Sequence, residues 1–213
     1  MILYDYHRSS AAYRVRIALN LKDLAYEQIP VSLLHGEQQS EEHMQRNPQA
    51  LVPVLEDGSL VLTQSFAICE YLDEVYPTAY PLLRGKPASK AKQRAFSLAI
   101  ACDIHPINNL RVLNYLVGEL GVSEEQKTAW YQHWVMQTFD ALEAQMKSRE
   151  QQTEFCFTDD APSLADVFLV PQVFNANRFN VDMSRYPTLS KIADRCNQIE
   201  AFAKAHPAQQ PGA

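Results

Sequence analysis

The opening stretch MILYDYHRSSAAYRVRIALNL, residues 1–21, decides the fold that the rest of the chain must complete. Residues 1–6 are rich in β-forming side chains and predict a strand. The turn Arg8–Ser10 ends in helix-capping residues, and the apolar side chains from Ala11 to Leu21 recur at helical spacing. A strand that runs directly into a helix predicts the first half of a β-α-β unit.

The segments that follow predict the completion of that unit. Residues 26–31 are predicted to form a second strand, and residues 40–45 a short polar helix. Two apolar runs on either side of an Asp-Gly turn, within residues 51–62, indicate a β-hairpin, and a helix starting near Gln64 follows it. A crossover helix between two strands implies parallel pairing. The order β-α-β-α-β-β-α therefore predicts an α/β thioredoxin-like domain over residues 1–80.

Beyond residue 86 the strand signals disappear, so residues 88–213 are predicted to form an all-α domain. The helices are expected over residues 89–118, 123–148, 163–175 and 188–206. Ser163 and Asp166 stand at the spacing of a capping box, which predicts a structural role for Asp166. The tail, residues 207–213, is predicted to be loose.

Composition and charge exclude several classes of partner. The chain has 213 residues and a formal net charge of −6. It contains no densely basic stretch, so nucleic acid and an anionic membrane surface are poor candidates for partners. The apolar runs are too short to cross a bilayer, and the first residues do not resemble a secretory signal. The four cysteines are scattered without zinc-like spacing, so we expect reduced thiols, no metal site and a cytoplasmic location.

Two hydroxyls at the start of the first predicted helix form the first candidate site. Ser9 and Ser10 lie where a strand turns into a helix, beside backbone amides that have no partner inside the helix. Such a position stabilises an anion, including a thiolate. Simple capping of the helix by the same hydroxyls is the alternative that the pair leaves open.

Two further positions in the first predicted domain suit a peptide-like ligand. Val52-Pro53 places a proline at the entry of a strand, and a cis peptide bond there would turn the Val52 backbone outward as a free hydrogen-bonding edge. Gln64-Ser65 places an amide, a hydroxyl and free backbone amides at a helix start, which suits a carboxylate. An ordinary edge proline and an ordinary helix cap are the alternatives.

Taken together, these motifs resemble the glutathione site of cytosolic glutathione transferases. The run Ser-Ser-x-x-x-Arg-Val-Arg-Ile-Ala-Leu, residues 9–19, is similar to the signature of the zeta class. The resemblance continues through residues 102–109 and 169–179 and covers nearly the whole chain. The sequence is identified as a member of the zeta-class, or maleylacetoacetate isomerase, family, with maleylpyruvate isomerase as a close sibling.

This resemblance implies a role for residues of both predicted domains. Ser9 and Ser10 would lie at the glutathione sulfur, with Arg8 as the third catalytic residue. The other glutathione contacts would come from Gln38 or Gln39, whose register is open, and from Val52, Gln64, Ser65, His105 and Asn109. The substrate would be bound by Arg8, His105, Asn109, Arg111 and Arg178.

Helical spacing adds two expectations about these residues, and one alternative stays open. His105 and Asn109 are four positions apart and are expected to share one helix face, with Arg111 off that face unless Pro106 distorts the turn. Arg178 as an ordinary surface charge paired with Asp182 is the alternative to a substrate contact.

The resemblance implies a glutathione-dependent cis-trans isomerase, a homodimer that converts maleylacetoacetate to fumarylacetoacetate in tyrosine and phenylalanine breakdown. Reversible addition of the glutathione thiolate makes the double bond a single bond, so glutathione is a cofactor that is not consumed. The alternatives are maleylpyruvate as the substrate, a transferase acting on α-halo acids, and a non-catalytic transferase-fold scaffold. Ala11 stands where many zeta enzymes carry cysteine, which excludes chemistry by a protein thiol at this position.

Overall fold

The computed structural model describes residues 1–78 and 80–213 and divides the chain into two compact units. The first unit comprises residues 1–82 and 197–213, and the second comprises residues 83–196. Within the described residues, no helix is both long enough and apolar enough to cross a membrane.

The first unit begins with the predicted order of strands and helices. Its elements are β1 (Ile2–Asp5), α1 (Ser10–Leu21), β2 (Glu27–Pro30), α2 (Glu41–Arg46), β3 (Val54–Asp57), β4 (Leu60–Thr63) and α3 (Ser65–Val75). Strand β1 pairs in parallel with β2 and antiparallel with β3, which pairs antiparallel with β4. The sheet order β2-β1-β3-β4 confirms the predicted thioredoxin-like arrangement.

Helix α1 is buried along almost its whole length, including two arginines. The guanidinium of Arg16 is fully buried and lies 2.6 Å from Asp5 Oδ2, and it also donates to the His7 carbonyl at 3.1 Å. A buried charge is tolerated only when it is paired and hydrogen-bonded, and Arg16 meets both conditions. This network ties the end of β1 to α1 and so fixes the turn between them.

Five α-helices start in the second unit, residues 83–196, and the last of them ends at its boundary. They are α4 (Pro87–Leu98), α5 (Leu110–Gly118), α6 (Glu124–Lys147), α7 (Leu164–Arg178) and α8 (Pro187–Asn197). Asp166, at the start of α7, is fully buried, and its Oδ2 accepts from both the N–H and the hydroxyl of Ser163 at 2.8 Å. Its Oδ1 accepts from the Cys156 N–H at 2.8 Å, which agrees with the predicted structural role of Asp166.

The prediction of one continuous helix over residues 89–118 is wrong. A π-helical segment, Ala99–Ile104, follows α4, and a turn over residues 105–108 separates it from α5. Proline has no N–H, and its ring clashes with the carbonyl four residues earlier, so a regular helix cannot pass through Pro106 undisturbed. His105 and Asn109 therefore do not share a helix face, because Asn109 is the N-cap of a new helix.

The end of the chain also differs from the prediction. The predicted helix over residues 188–206 is two helices, α8 and α9 (Glu200–Ala205), and residues 197–213 belong to the first unit instead of the helical one. Helix α9 packs on α1: the carbonyl of Ala205 accepts from Arg16 Nε at 3.0 Å, and Phe202 is fully buried. The start of the tail is not loose, because the buried Gln210 side chain donates to the Lys204 carbonyl at 2.7 Å.

One carboxylate in the first unit makes the stability of the fold depend on pH. The Tyr76 and Tyr71 hydroxyls donate to Asp57 Oδ2 at 2.7 and 2.9 Å. The bond from Tyr76 first, and then that from Tyr71, lower the pKa of Asp57 more than burial raises it. Because the folded pKa lies below the unfolded value, this stabilisation is complete above that value and is lost as the pH falls through the folded pKa.

We therefore expect Tyr76→Phe to lower the free energy of unfolding at pH 7 by about 1–2 kcal/mol, since it removes a hydrogen bond to a charged group. The difference from the unmodified protein should shrink as the pH falls from about 4 through the lowered folded pKa, below which the carboxyl is protonated in both states. Urea unfolding at pH 7 and at pH 3 measures both values, with Tyr115→Phe, an exposed tyrosine, as the control. An effect of Tyr76→Phe that is equal at both pH values would contradict the assignment.

Candidate active site

The register of the sheet brings three chain segments to the same end of the first unit. Tyr4 in β1 lies opposite Val54 in β3, and Val54 lies opposite Thr63 in β4. Because β3 runs antiparallel to both neighbours, the chain leaves β1 and β4 at the end of the sheet where it enters β3. The start of α1, the Val52-Pro53 segment and the start of α3 therefore share this end.

The two serines cap and open α1. Ser9 is the N-cap, with an extended backbone at φ −70° and ψ 116°, and its Oγ accepts from the Ala12 N–H at 3.2 Å. Ser10, only 4% exposed, is the first residue of the helix. Helix capping by Ser9 is thus observed, but a hydroxyl that accepts one bond still has its own hydrogen to donate. The pair is placed at a positive helix end, where an anion is favoured.

The segment before β3 has the open backbone edge that the sequence suggested. The Val52-Pro53 peptide bond is cis. The Leu51 carbonyl is held by His43 Nε2 at 3.0 Å and by Asn47 Nδ2 at 2.9 Å. Within residues 1–78 and 80–213, neither the N–H nor the carbonyl of Val52 makes a hydrogen bond to the protein. An extended ligand can therefore pair with this edge as an added strand would.

At the start of α3, a strained residue precedes a buried serine. Gln64 has φ +68°, a conformation that residues other than glycine rarely adopt and that costs about 1–3 kcal/mol. Its Nε2 donates to Gln49 Oε1 at 3.0 Å. Ser65, 6% exposed, is the first residue of the helix. Backbone strain of this kind is concentrated at ligand sites, where the surrounding structure holds it in place.

A buried arginine that the sequence analysis missed supports this helix start. The Arg14 side chain is 1% exposed, and its Nη1 donates to Ser65 Oγ at 3.3 Å. Its positive charge adds to the helix end and favours a carboxylate there. The signal was present in the sequence as a charged residue among the apolar positions of α1, yet periodicity alone does not show which charge is buried.

The loop before α2 contains the two glutamines between which the sequence could not choose. Both lie in a short 3₁₀ segment, Glu37–Gln39. Gln39 is exposed. Gln38 is half-buried, and its Oε1 is buried without a hydrogen-bond partner in the described part of the chain. A contact of either residue with a ligand stays a prediction.

Three of the four protein thiols are poor candidates for the nucleophile. Burial raises the pKa of Cys69 to about 12 and also raises the pKa values of Cys156 and Cys196. These three thiols are therefore protonated near neutral pH. Cys102 is exposed and lies in the π-helical segment.

Across residues 1–78 and 80–213, no group of three or more His, Cys, Asp or Glu side chains is arranged to hold a metal ion.

In the second unit, three of the predicted site residues lie around the break between α4 and α5. His105 is half-buried at the end of the π-helical segment. Asn109 caps α5, and its Oδ1 accepts from the Arg111 N–H at 3.1 Å. The Arg111 side chain is exposed. The break thus places His105 and Asn109 on irregular backbone, which is common at functional sites.

The two remaining arginines are exposed. Arg8 lies in the turn between β1 and α1. Arg178 is the last residue of α7, and its Nη1 donates to Asn175 Oδ1 at 3.1 Å. The alternative pairing with Asp182 is not formed: that carboxylate accepts from the Ser184 N–H at 3.1 Å and from its hydroxyl at 2.6 Å. The roles of Arg8 and Arg178 in substrate binding stay predictions.

Known proteins are similar to this chain in both sequence and fold. Residues 1–74 match the family described as the glutathione S-transferase N-terminal domain. A probable maleylacetoacetate isomerase of Vibrio cholerae is 54% identical over 100% of this chain and 98% of its own. A holo structure of maleylpyruvate isomerase, a bacterial zeta-class glutathione S-transferase, is 42% identical, with both chains fully covered and a TM-score of 0.97. A maleylacetoacetate isomerase from Methylobacterium extorquens with bound malonate and glutathione is 36% identical over 100% of this chain and 99% of its own, with a TM-score of 0.94.

Proposed function

The chain belongs to the zeta class of the glutathione S-transferase family, and from this premise we propose that it is a glutathione-dependent cis-trans isomerase that converts maleylacetoacetate to fumarylacetoacetate. The observation that carries the proposal is the meeting of three features at one end of the sheet. These are the serine-capped start of α1, the open Val52 backbone and the strained start of α3.

The residues at this end of the sheet fit glutathione group by group. The Val52 edge suits the peptide backbone of the cysteinyl part. The start of α3, with the Ser65 hydroxyl and the buried Arg14 charge, suits the α-carboxylate of the γ-glutamyl part. The side-chain amide N–H groups of Gln38 or Gln39 are candidate donors to the glycyl carboxylate.

Ser9 and Ser10 act on the sulfur in this proposal. A free thiol has a pKa near 8.5, so only a minor fraction is ionised at neutral pH. A hydroxyl that donates to the sulfur, at a helix end with positive partial charge, lowers that pKa and increases the thiolate fraction. When bound, glutathione supplies a thiolate that adds reversibly to the conjugated double bond and leaves after rotation about the resulting single bond.

The substrate carries two carboxylates, whereas the protein has a net charge of −6. A dianion therefore needs positive charge concentrated at the site, and the exposed side chains of Arg8, Arg111 and Arg178 can provide it. His105 and Asn109 contribute hydrogen-bond donors to the glutathione and to the substrate. The assignments of the three arginines rest on the family resemblance together with their exposure, and those of His105 and Asn109 rest on the resemblance.

Three finer statements complete the proposal. Maleylacetoacetate is preferred to maleylpyruvate because tyrosine and phenylalanine breakdown is the commoner setting of the family. We place the enzyme in the cytoplasm, where its four free cysteines stay reduced. We also propose a homodimer, as the family implies.

The decisive experiment follows substrate and glutathione in the same reaction. Purified protein is mixed with maleylacetoacetate and glutathione, the trans product is measured, and total free thiol is titrated before and after many turnovers. We expect saturable isomerisation that requires glutathione and leaves its concentration unchanged. Loss of one free thiol for each product molecule would favour a conjugating transferase. A higher turnover with an α-halo acid than with maleylacetoacetate would favour the same alternative. Absence of turnover in the presence of bound glutathione would favour a scaffold.

A further inference from the structure

The turn that carries His105 is attached to the rest of the second unit by few backbone bonds. The Ala99–Ile104 segment has π-type bonds, such as the one from the His105 N–H to the Ile100 carbonyl at 3.0 Å. The Asn108 N–H then donates to the Ile104 carbonyl at 3.2 Å, and α5 starts at Leu110. Since no regular helix runs through residues 105–109, contacts from a neighbouring element must fix the position of this turn.

Helix α6 provides those contacts. The indole Nε1 of Trp130 donates to the carbonyl of Ile107, in the middle of the turn, at 3.0 Å. A second, longer bond of 3.4 Å runs from Asn108 Nδ2 to the Tyr131 carbonyl. Both contacts reach the turn between His105 and Asn109, so they determine where these two side chains are presented.

A second tryptophan on the same helix provides a natural comparison. Trp134 lies one helical turn beyond Trp130, and the two rings pack edge to face with centroids 5.6 Å apart. Its Nε1 is buried but makes no hydrogen bond within the described residues. The two indoles therefore share an environment and differ in whether the N–H holds the turn.

We propose that Trp130 is a positioning residue for the isomerase, whose indole N–H holds the Ile107 carbonyl and thereby fixes the backbone from which His105 and Asn109 extend. The inference rests on the proposed function. A displacement of about 1 Å in a positioning group can reduce a rate by about a hundredfold, so one hydrogen bond at this point can have a measurable effect. The donor matters more than the ring, because a phenylalanine would keep most of the packing.

The test compares Trp130→Phe with Trp134→Phe, which removes the same ring area and an N–H without a partner. We expect Trp130→Phe to lower kcat/KM for maleylacetoacetate about tenfold and Trp134→Phe to change it less than about twofold. Urea unfolding of both variants controls for stability. If Trp130→Phe does not fold, Asn108→Ala removes the other anchor of the turn and should give a smaller decrease.

A double-mutant cycle with His105→Ala separates positioning from general loosening. If Trp130 acts through the turn, adding Trp130→Phe to His105→Ala should lower kcat/KM by much less than it does in the unmodified enzyme. Full additivity, or equal activity of the two tryptophan variants in an active enzyme, would overturn the positioning role alone. An unmodified protein that binds glutathione but has no isomerase activity would instead overturn the proposed function, and the inference with it.

Discussion

Replacing both Ser9 and Ser10 by alanine is expected to lower kcat for the isomerisation by about a hundredfold or more, because the sulfur of bound glutathione loses its hydroxyl donor. Without that donor the pKa of the bound thiol rises toward the free value of about 8.5. The rate should therefore recover in part as the pH is raised from 7 to 9. Steady-state rates over this range, together with the ultraviolet absorbance of the thiolate in the binary complex, measure both effects.

The control for this variant is another serine that caps a helix. Ser9 accepts from the Ala12 N–H at 3.2 Å, so its loss also removes a cap, worth about 1 kcal/mol. Ser123 caps α6 in the same way, accepting from the Gln126 N–H at 3.2 Å. Ser123→Ala should thus show a comparable loss of stability while it keeps its activity. Full activity of the double variant, or an equal loss in Ser123→Ala, would contradict the role of the pair.

The largest effect on stability is expected for Asp166→Ala, which should lower the free energy of unfolding by about 3–5 kcal/mol. The substitution leaves the N–H groups of Ser163 and Cys156 buried without their acceptor, and it opens space in a fully buried site. Each buried donor without a partner costs about 1–3 kcal/mol. Urea unfolding at pH 7 measures the difference.

The matched control for Asp166→Ala is Asp182→Ala, because Asp182 accepts similar hydrogen bonds at an exposed position. Its carboxylate accepts from the N–H and the hydroxyl of Ser184, much as Asp166 accepts from Ser163, but this site is exposed. Water can replace the lost acceptor there, so Asp182→Ala should lower the free energy of unfolding far less than Asp166→Ala does. Equal losses for the two variants would show that burial is not the cause. Isomerase activity of the folded fraction of Asp166→Ala should stay close to normal, because the role of Asp166 is structural.

Local patterns were sufficient for most of the first unit. Strand β1, helix α1 and the β3-β4 hairpin depend on alternation, helical spacing and an Asp-Gly turn, all of which act between residues close in the chain. The capping box at Ser163 belongs to the same class. The cis Val52-Pro53 bond was anticipated only as a possibility, because proline makes the cis form accessible without requiring it.

The errors arose where the local effect of Pro106 was given too little weight and where contacts between distant residues outweigh local preference. Residues 89–118 have helical spacing throughout, but Pro106 and the anchoring of the turn by Trp130 divide them into separate segments. Residues 188–206 were predicted to form one helix of the all-α domain and residues 207–213 to be loose, yet Phe202 and Gln210 are buried and belong to the first unit. Nothing in local spacing indicates such a return of the chain, since the stabilising contacts join residues far apart in sequence.

By itself, the sequence determined the order of strands and helices in residues 1–75, the family, and the residue types at the candidate site, because these depend on short-range spacing and on motif identity. Only the tertiary structure decided that Arg14 is buried against Ser65, that the Val52 edge is open, and that His105 and Asn109 lie on a turn instead of a helix face. The physical reason is that burial and hydrogen-bond partners are set by residues brought together from distant parts of the chain, and a linear pattern contains no distances between them.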